Sequence, residues 1–176
     1  MTVQELILKD KTFNSEMFLS KAKNMIEKIY NAINENKLEK VDHFISDKVY
    51  NQFVTQMKYA DSRGCQLVYD KVKINLSITE VGIEVNTYKI ITKLELRCVK
   101  YFKSKTNGSI VGGNLNTGSI TEHKVIFKKK KNAEERVTNR CRGCGNTFDI
   151  SQSGICPVCG RIYDLEDVDY YIDDFI

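Results

Sequence analysis

Apolar residues recur at three- and four-residue spacing over residues 14–35: Phe18, Ala22, Met25, Ile26, Ile29, Tyr30 and Ile33. That is the period of a helix with one buried stripe. Asn14 or Ser15 can cap its start, and Glu16 lies near the positive end of its dipole. After the turn at Asn34-Glu35-Asn36, Leu38, Val41, Phe44 and Ile45 place a short second helix. Ser46 opens a third that runs to about Ser62. Its apolar face is Val49, Tyr50, Phe53, Val54, Met57 and Ala60, and Gly64 is its stop.

From Gln66 the period falls to two. Val72, Ile74, Leu76 and Ile78 alternate with polar residues and predict a half-buried strand. Residues 86–102 predict a long second strand with Tyr88, Ile90, Thr92, Leu94, Leu96 and Cys98 on one face. Residues 119–130 predict a third, ending in Val125, Ile126 and Phe127. Arg136 to Arg140 predict a fourth. Helices first and meandering strands afterwards indicate an α+β fold, with helices packed on one face of an antiparallel sheet. Lys103–Ser119, rich in Gly, Asn, Ser and Thr, reads as a mobile hairpin connection; it lacks the residue order of a phosphate-binding loop.

Composition adds limits. The chain has 176 residues, 41% hydrophobic and 28% charged, with one Pro and no Trp. That is enough for one ordinary domain and a small appendage. No stretch reaches the roughly 18 apolar residues of a membrane span. The N-terminus lacks the apolar core of a secretory signal, so a soluble, cytoplasmic protein is expected.

The net charge of +4 is unevenly spread. Residues 1–140 carry 25 Lys and Arg against 16 Asp and Glu, while residues 164–176 carry six acids and no base. The acidic, aromatic tail reads first as a terminal strand or helix held to a basic body, and second as a partner-binding peptide. Lys128, Lys129, Lys130 and Lys131 read first as a solvated hairpin tip. Their functional reading is a contact with phosphate or anionic lipid, a route to peripheral membrane contact.

The chemistry is concentrated near the C-terminus. Cys141-Arg142-Gly143-Cys144 and Cys156-Pro157-Val158-Cys159 are each followed by glycine and are separated by eleven residues, 145–155. Two C-x-x-C turns present four thiolates at the spacing of a zinc ribbon holding one structural Zn²⁺. Glycine after each pair permits the positive φ that turns the backbone under the metal. Thr147, Phe148 and Ile150 suit a strand, and residues 151–154 a turn, so the spacer reads as a hairpin. Paired disulfides, or redox C-x-x-C sites, are the competing readings.

Elsewhere the signals for catalysis are thin. His43 beside Phe44, and His123 in an alternating strand, read as structural and surface residues. Cys65 and Cys98 read as small buried side chains. The acids show no paired spacing for acid–base work. Arg142, Arg161, Phe148 and Tyr163 would be a sparse nucleic-acid surface, and an acidic tail follows at once. Nucleic-acid binding is therefore disfavoured.

The order of the parts resembles a known family. Residues 10–53 resemble the start of the Tim-forty-four-like domain. The matching features are Asp10 and Phe13 ahead of a helix with Phe18, Ala22 and Ile29, then the short Leu38–Ile45 helix, then Ser46-Asp47, Tyr50 and Phe53. The polar insertion after the second long strand fits as well, and some bacterial members carry a zinc ribbon after the last strand.

The resemblance implies a nuclear-transport-factor-two-like, cystatin-like cone: a curved antiparallel sheet wrapped around a long helix, with an apolar cavity. It also implies a non-catalytic role in docking other proteins, often at a membrane, and it supplies no catalytic residues. Many bacterial relatives precede the domain with a membrane segment and a glycine-rich linker, which are absent here; a soluble member or a fragment is expected. The organisation expected is an N-terminal extension (1–12), the α+β domain (13–140), the zinc ribbon (141–163) and the acidic tail (164–176). The function expected is a non-enzymatic, zinc-containing adaptor with a protein partner, in a transport or membrane-associated assembly. A carrier of an apolar ligand or lipid in the cavity is the alternative, and a nucleic-acid-binding ribbon the second.

Overall fold

The computed structural model describes residues 2–85, 87–113, 115–130, 138–141, 143–149, 155–161 and 170–176. Among these, α1 (Val3–Lys9), α2 (Ser15–Asn34), a 3-10 helix (Leu38–Phe44) and α3 (Asp47–Asp61) precede the strands. The strands are β1 (Cys65–Ile83), β2 (Thr87–Ser104), β3 (Ile110–Gly113), β4 (Ser119–Lys130), β5 (Thr138–Arg140), β6 (Thr147–Asp149) and β7 (Tyr170–Phe175).

The α2 stripe behaves as its period predicts. Asn14 accepts from the Met17 N–H and caps the helix, and Phe18, Ala22, Met25, Ile26, Ile29 and Ile33 are buried. The second helix is of the 3-10 type. At three residues per turn Leu38, Val41 and Phe44 fall on one line, and all three are buried. Ser46 caps α3 through the Val49 N–H.

The main sheet runs β1-β2-β4-β7, antiparallel throughout, with β3 folded back on β2. It is strongly curled, a half-barrel around α2. Register shifts fall between Asp70 and Lys73, between Ile78 and Glu80, and between Ile126 and Phe127. Bulges of this kind bend a strand and increase its twist. The first also reverses phase: Leu67 and Tyr69 face the core before it, and Val72, Ile74, Leu76 and Ile78 pack against the core after it. Lys71 takes a φ of 52° at that bulge.

The concave side is filled by side chains. Phe18 meets Phe127 edge-on at 5.3 Å and Tyr170 at 5.2 Å, and Tyr30 lies 4.8 Å from Tyr69. At the far end the Asn34 amide donates to the Tyr69 carbonyl and accepts from its N–H, occupying part of the free edge of β1.

Residues 1–12 contain α1, which opens on a Thr2–Glu5 capping box and buries Leu6 completely. The polar insertion contains β3, and Gly113 there has a φ of 93°. A Cβ at Gly113 would lie 2.5 Å from the Lys100 carbonyl oxygen, so glycine is required for the strand to close on β2.

The predicted lysine tip lies partly inside β4. Lys128 pairs with Glu84 at 2.9 Å and Asp173 at 3.3 Å; Lys129 pairs with Asp10 at 2.7 Å and sits over the Tyr170 ring. These two ammonium groups are paired within the fold and do not sit at a solvated tip. The Lys130 side chain and Lys131 lie outside the described residues.

From Tyr170 onward the tail is a terminal strand held to the body, as first expected. β7 pairs with β4, and its Ile172 and Asp173 carbonyls accept from the Ser46 N–H and hydroxyl. Lys48 reaches Asp174 at 2.6 Å. Residues 164–169 lie outside the described set.

Candidate metal centre

β5 does not join the main sheet. It pairs with β6 as a separate two-stranded ribbon, Asn139 opposite Phe148. Cys141 follows β5 directly. In the first turn the Cys141 N–H donates to the Asn146 carbonyl and the Gly145 N–H returns to the Cys141 carbonyl. The second turn repeats the scheme: Cys156 N–H to Arg161 carbonyl, Gly160 N–H to Cys156 carbonyl. Gly145 and Gly160 have φ of 77° and 73°, as the glycine after each pair predicts. Two matching knuckles thus face each other.

All four sulfurs lie within 4.8 Å of one another. Cys141 Sγ is 3.4 Å from Cys159 Sγ, and Cys144 Sγ is 3.6 Å from Cys156 Sγ. A tetrahedral zinc with bonds of about 2.3 Å sets ligand sulfurs roughly 3.8 Å apart. These separations suit a shared ion and exceed a disulfide bond of about 2.05 Å; none of the six cysteines is in a disulfide. The four could hold a metal ion such as zinc. Cys141 and Cys156 are buried against Phe148, while Cys144 and Cys159 reach the surface.

Crowding separates their titrations. At Cys159 the Arg161 N–H favours the thiolate, but Cys141 beside it, burial and the other sulfurs outweigh that donor and push the thiol up to about 12. At Cys156 burial disfavours the charge, yet the N–H groups of Cys159 and Val158 and the Cys144 thiol bring the group below its ordinary value. A divalent cation would favour the thiolate form at each of the four.

Arg161 turns inward. Its Nη1 donates to Asp42 Oδ2 at 2.9 Å, and the Asp42 side chain is 1% exposed. This bond joins the second knuckle to the 3-10 helix. No local signal in the sequence announces it, because the partners are 119 residues apart. It also corrects the nucleic-acid reading: Arg161 and Phe148 are used internally, and Arg142 and Tyr163 lie outside the described residues.

The other residues singled out in the sequence lie in the body. His43 is buried edge-on to Phe44 at 4.9 Å. Cys65 and Cys98 are buried in the body. His123, with Glu80, Lys93, Glu122 and Lys124, lines an open depression of about 440 Å³. There Glu122 pairs with Lys93 at 2.7 Å, and His123 contacts Thr121 at 2.9 Å and the Phe175 ring. Burial holds His123 below the ordinary histidine value, against a backbone hydrogen bond at Ile176. No helix among the described residues is long and apolar enough to cross a membrane.

No curated protein matches the chain. The family model of the Tim44-like domain matches residues 1–139, which takes in the helices, the curled sheet through β4 and the entry to the ribbon. The chain belongs to the Tim44-like domain family.

Proposed function

We propose that this protein is a non-catalytic docking module whose cysteine flap carries one structural Zn²⁺. One observation carries the reading: the interior is taken. The concave sheet holds α2, with Met25, Ile26, Ile29 and Ile33 at 1% exposure or less. The candidate metal centre meets its ion with four thiolates and leaves no position for substrate. Filling of the cone also removes support from a carrier role. Tim44-like domains are generally non-catalytic and associated with proteins or membranes.

A partner therefore docks on the outside. The flap offers Ile155 and Val158, 47% and 66% exposed, on the second knuckle that carries Cys156 and Cys159. In this reading the two apolar side chains are where the partner makes contact. Thiolates kept available for zinc favour a reducing, cytoplasmic setting, in a transport or membrane-associated assembly.

A photo-cross-linker at Val158, compared with one at Lys100 on β2, tests this in the native cell. A single protein joined through the cross-linker at position 158, and lost when Ile155→Glu is added to the same chain, is expected. Equal products from both sites, or turnover of a small molecule by the purified chain, would defeat the reading.

A further inference from the structure

We infer that Arg161 is a latch through which metal bound at the four cysteines stabilises the body of the protein. The inference rests on the zinc reading of that centre.

The geometry has three parts. Arg161 is two residues beyond Cys159, and its carbonyl accepts the Cys156 N–H at 2.8 Å, so its backbone belongs to the second knuckle. Its side chain then passes the first knuckle at Gly143. A Cβ at Gly143 would lie 3.2 Å from Cys159 Sγ and 3.4 Å from Arg161 Nε. Glycine leaves the gap the guanidinium uses, and the gap exists only while both knuckles face each other. Beyond it lies Asp42, a carboxylate with 1% exposure, among the buried Leu38, Val41, His43 and Phe44.

The consequence follows from charge burial. Removing one member of a buried ion pair is far more damaging than the pair is worth, because the other charge stays desolvated. Metal release lets the knuckles part and withdraws Arg161 from Asp42. The 3-10 helix then loses a charge-assisted bond although no cysteine belongs to it. Metal occupancy is thereby transmitted to the Tim44-like body.

The test uses the full chain, with zinc content by elemental analysis, thermal melting and amide hydrogen exchange, before and after a strong chelator. Chelation is expected to lower the melting temperature of the body by roughly 5–10 °C and to speed exchange across residues 38–44. Arg161→Ala should retain zinc yet reproduce both changes, with little added by chelation. Asp42→Asn, which needs no counter-charge, should shrink the chelation effect on the body; if it does not fold, Arg161→Ala alone decides. Zinc present, but body melting and exchange at 38–44 unchanged by chelation, overturns the latch and leaves the zinc reading standing. No bound zinc in freshly purified protein overturns both.

Discussion

From Leu6 to Phe175 the body buries an apolar face on each long element, whereas the described part of the flap, 138–161, buries Phe148 and two of its own cysteines. The body has ring-on-ring packing from Phe13 through Phe18 to Phe127 and Tyr170. The flap has short strands, repeated turn hydrogen bonds and four sulfurs. Burial of the first kind stabilises in proportion to apolar area. A segment as small as the flap cannot gather that area, and a metal ion at the four cysteines would close the deficit. The two regions should therefore fail under different treatments.

The largest effect separates them most cleanly. Cys141→Ser removes a buried ligand. Structural zinc contributes about 10–16 kcal/mol in isolated finger peptides, so the flap should lose its metal and its ordered amide signals while the body still melts as a cooperative unit. Elemental analysis and two-dimensional NMR would show it. Retained metal with an unchanged spectrum would contradict the assignment of Cys141 as a ligand.

The converse change strikes the body. Ile29 on α2 is fully buried among core side chains. Ile29→Ala should cost about 2–5 kcal/mol by the lost transfer energy and the cavity left behind. Urea denaturation would show a lower midpoint, and zinc content of the folded fraction should be unaltered. A variant that sheds metal while fully folded would mean that the regions are not separable in this way.

That division explains what could be read from the residues. Local rules held where local forces decide: the α2 stripe, the Asn14 and Ser46 caps, the inward face of β2, and the glycines after each C-x-x-C pair. Misreadings fell where partners are distant. Lys128 and Lys129 look like a solvated run because Glu84, Asp173 and Asp10 come from other parts of the chain. Arg161 looks free until Asp42 is brought beside it.

α1 leaves little trace in the sequence for another reason. A seven-residue helix with one fully buried side chain has almost no period to detect, although Thr2 and Glu5 do spell a capping box. The phase reversal in β1 is likewise invisible to a strict two-residue period, since a bulge adds a residue that the alternation does not count.

Ser46 lies where body helix and tail strand meet. Its hydroxyl oxygen accepts from the Val49 N–H at 3.2 Å, and its hydroxyl donates to the Asp173 carbonyl at 2.8 Å. Ser46→Ala removes both and should cost about 1–2 kcal/mol. Exchange should accelerate in the first turn of α3 and in β7, and remain unchanged in β5 and β6. Faster exchange in the ribbon strands would show that the tail, and not the metal, orders the flap.

The smallest effect concerns the seam between α1 and the sheet. Burial raises the Asp10 carboxyl, but hydrogen bonds from Lys129 and Thr12 and the nearby ammonium charge outweigh it, so its pKa falls below the ordinary 3.8. A carboxylate with a depressed folded value adds stability above its unfolded pKa and loses it as pH falls through the folded one. Asp10→Asn should therefore lower the melting temperature by about 2 °C at neutral pH. The gap should close below about pH 4, where the wild-type carboxyl also becomes neutral. Lys129 answers to Asp10 and not to the cysteines, so zinc content should be identical in the two proteins. A gap that persists undiminished at pH 2 would mean that Asp10 acts through the turn geometry of Thr12 and not through its charge.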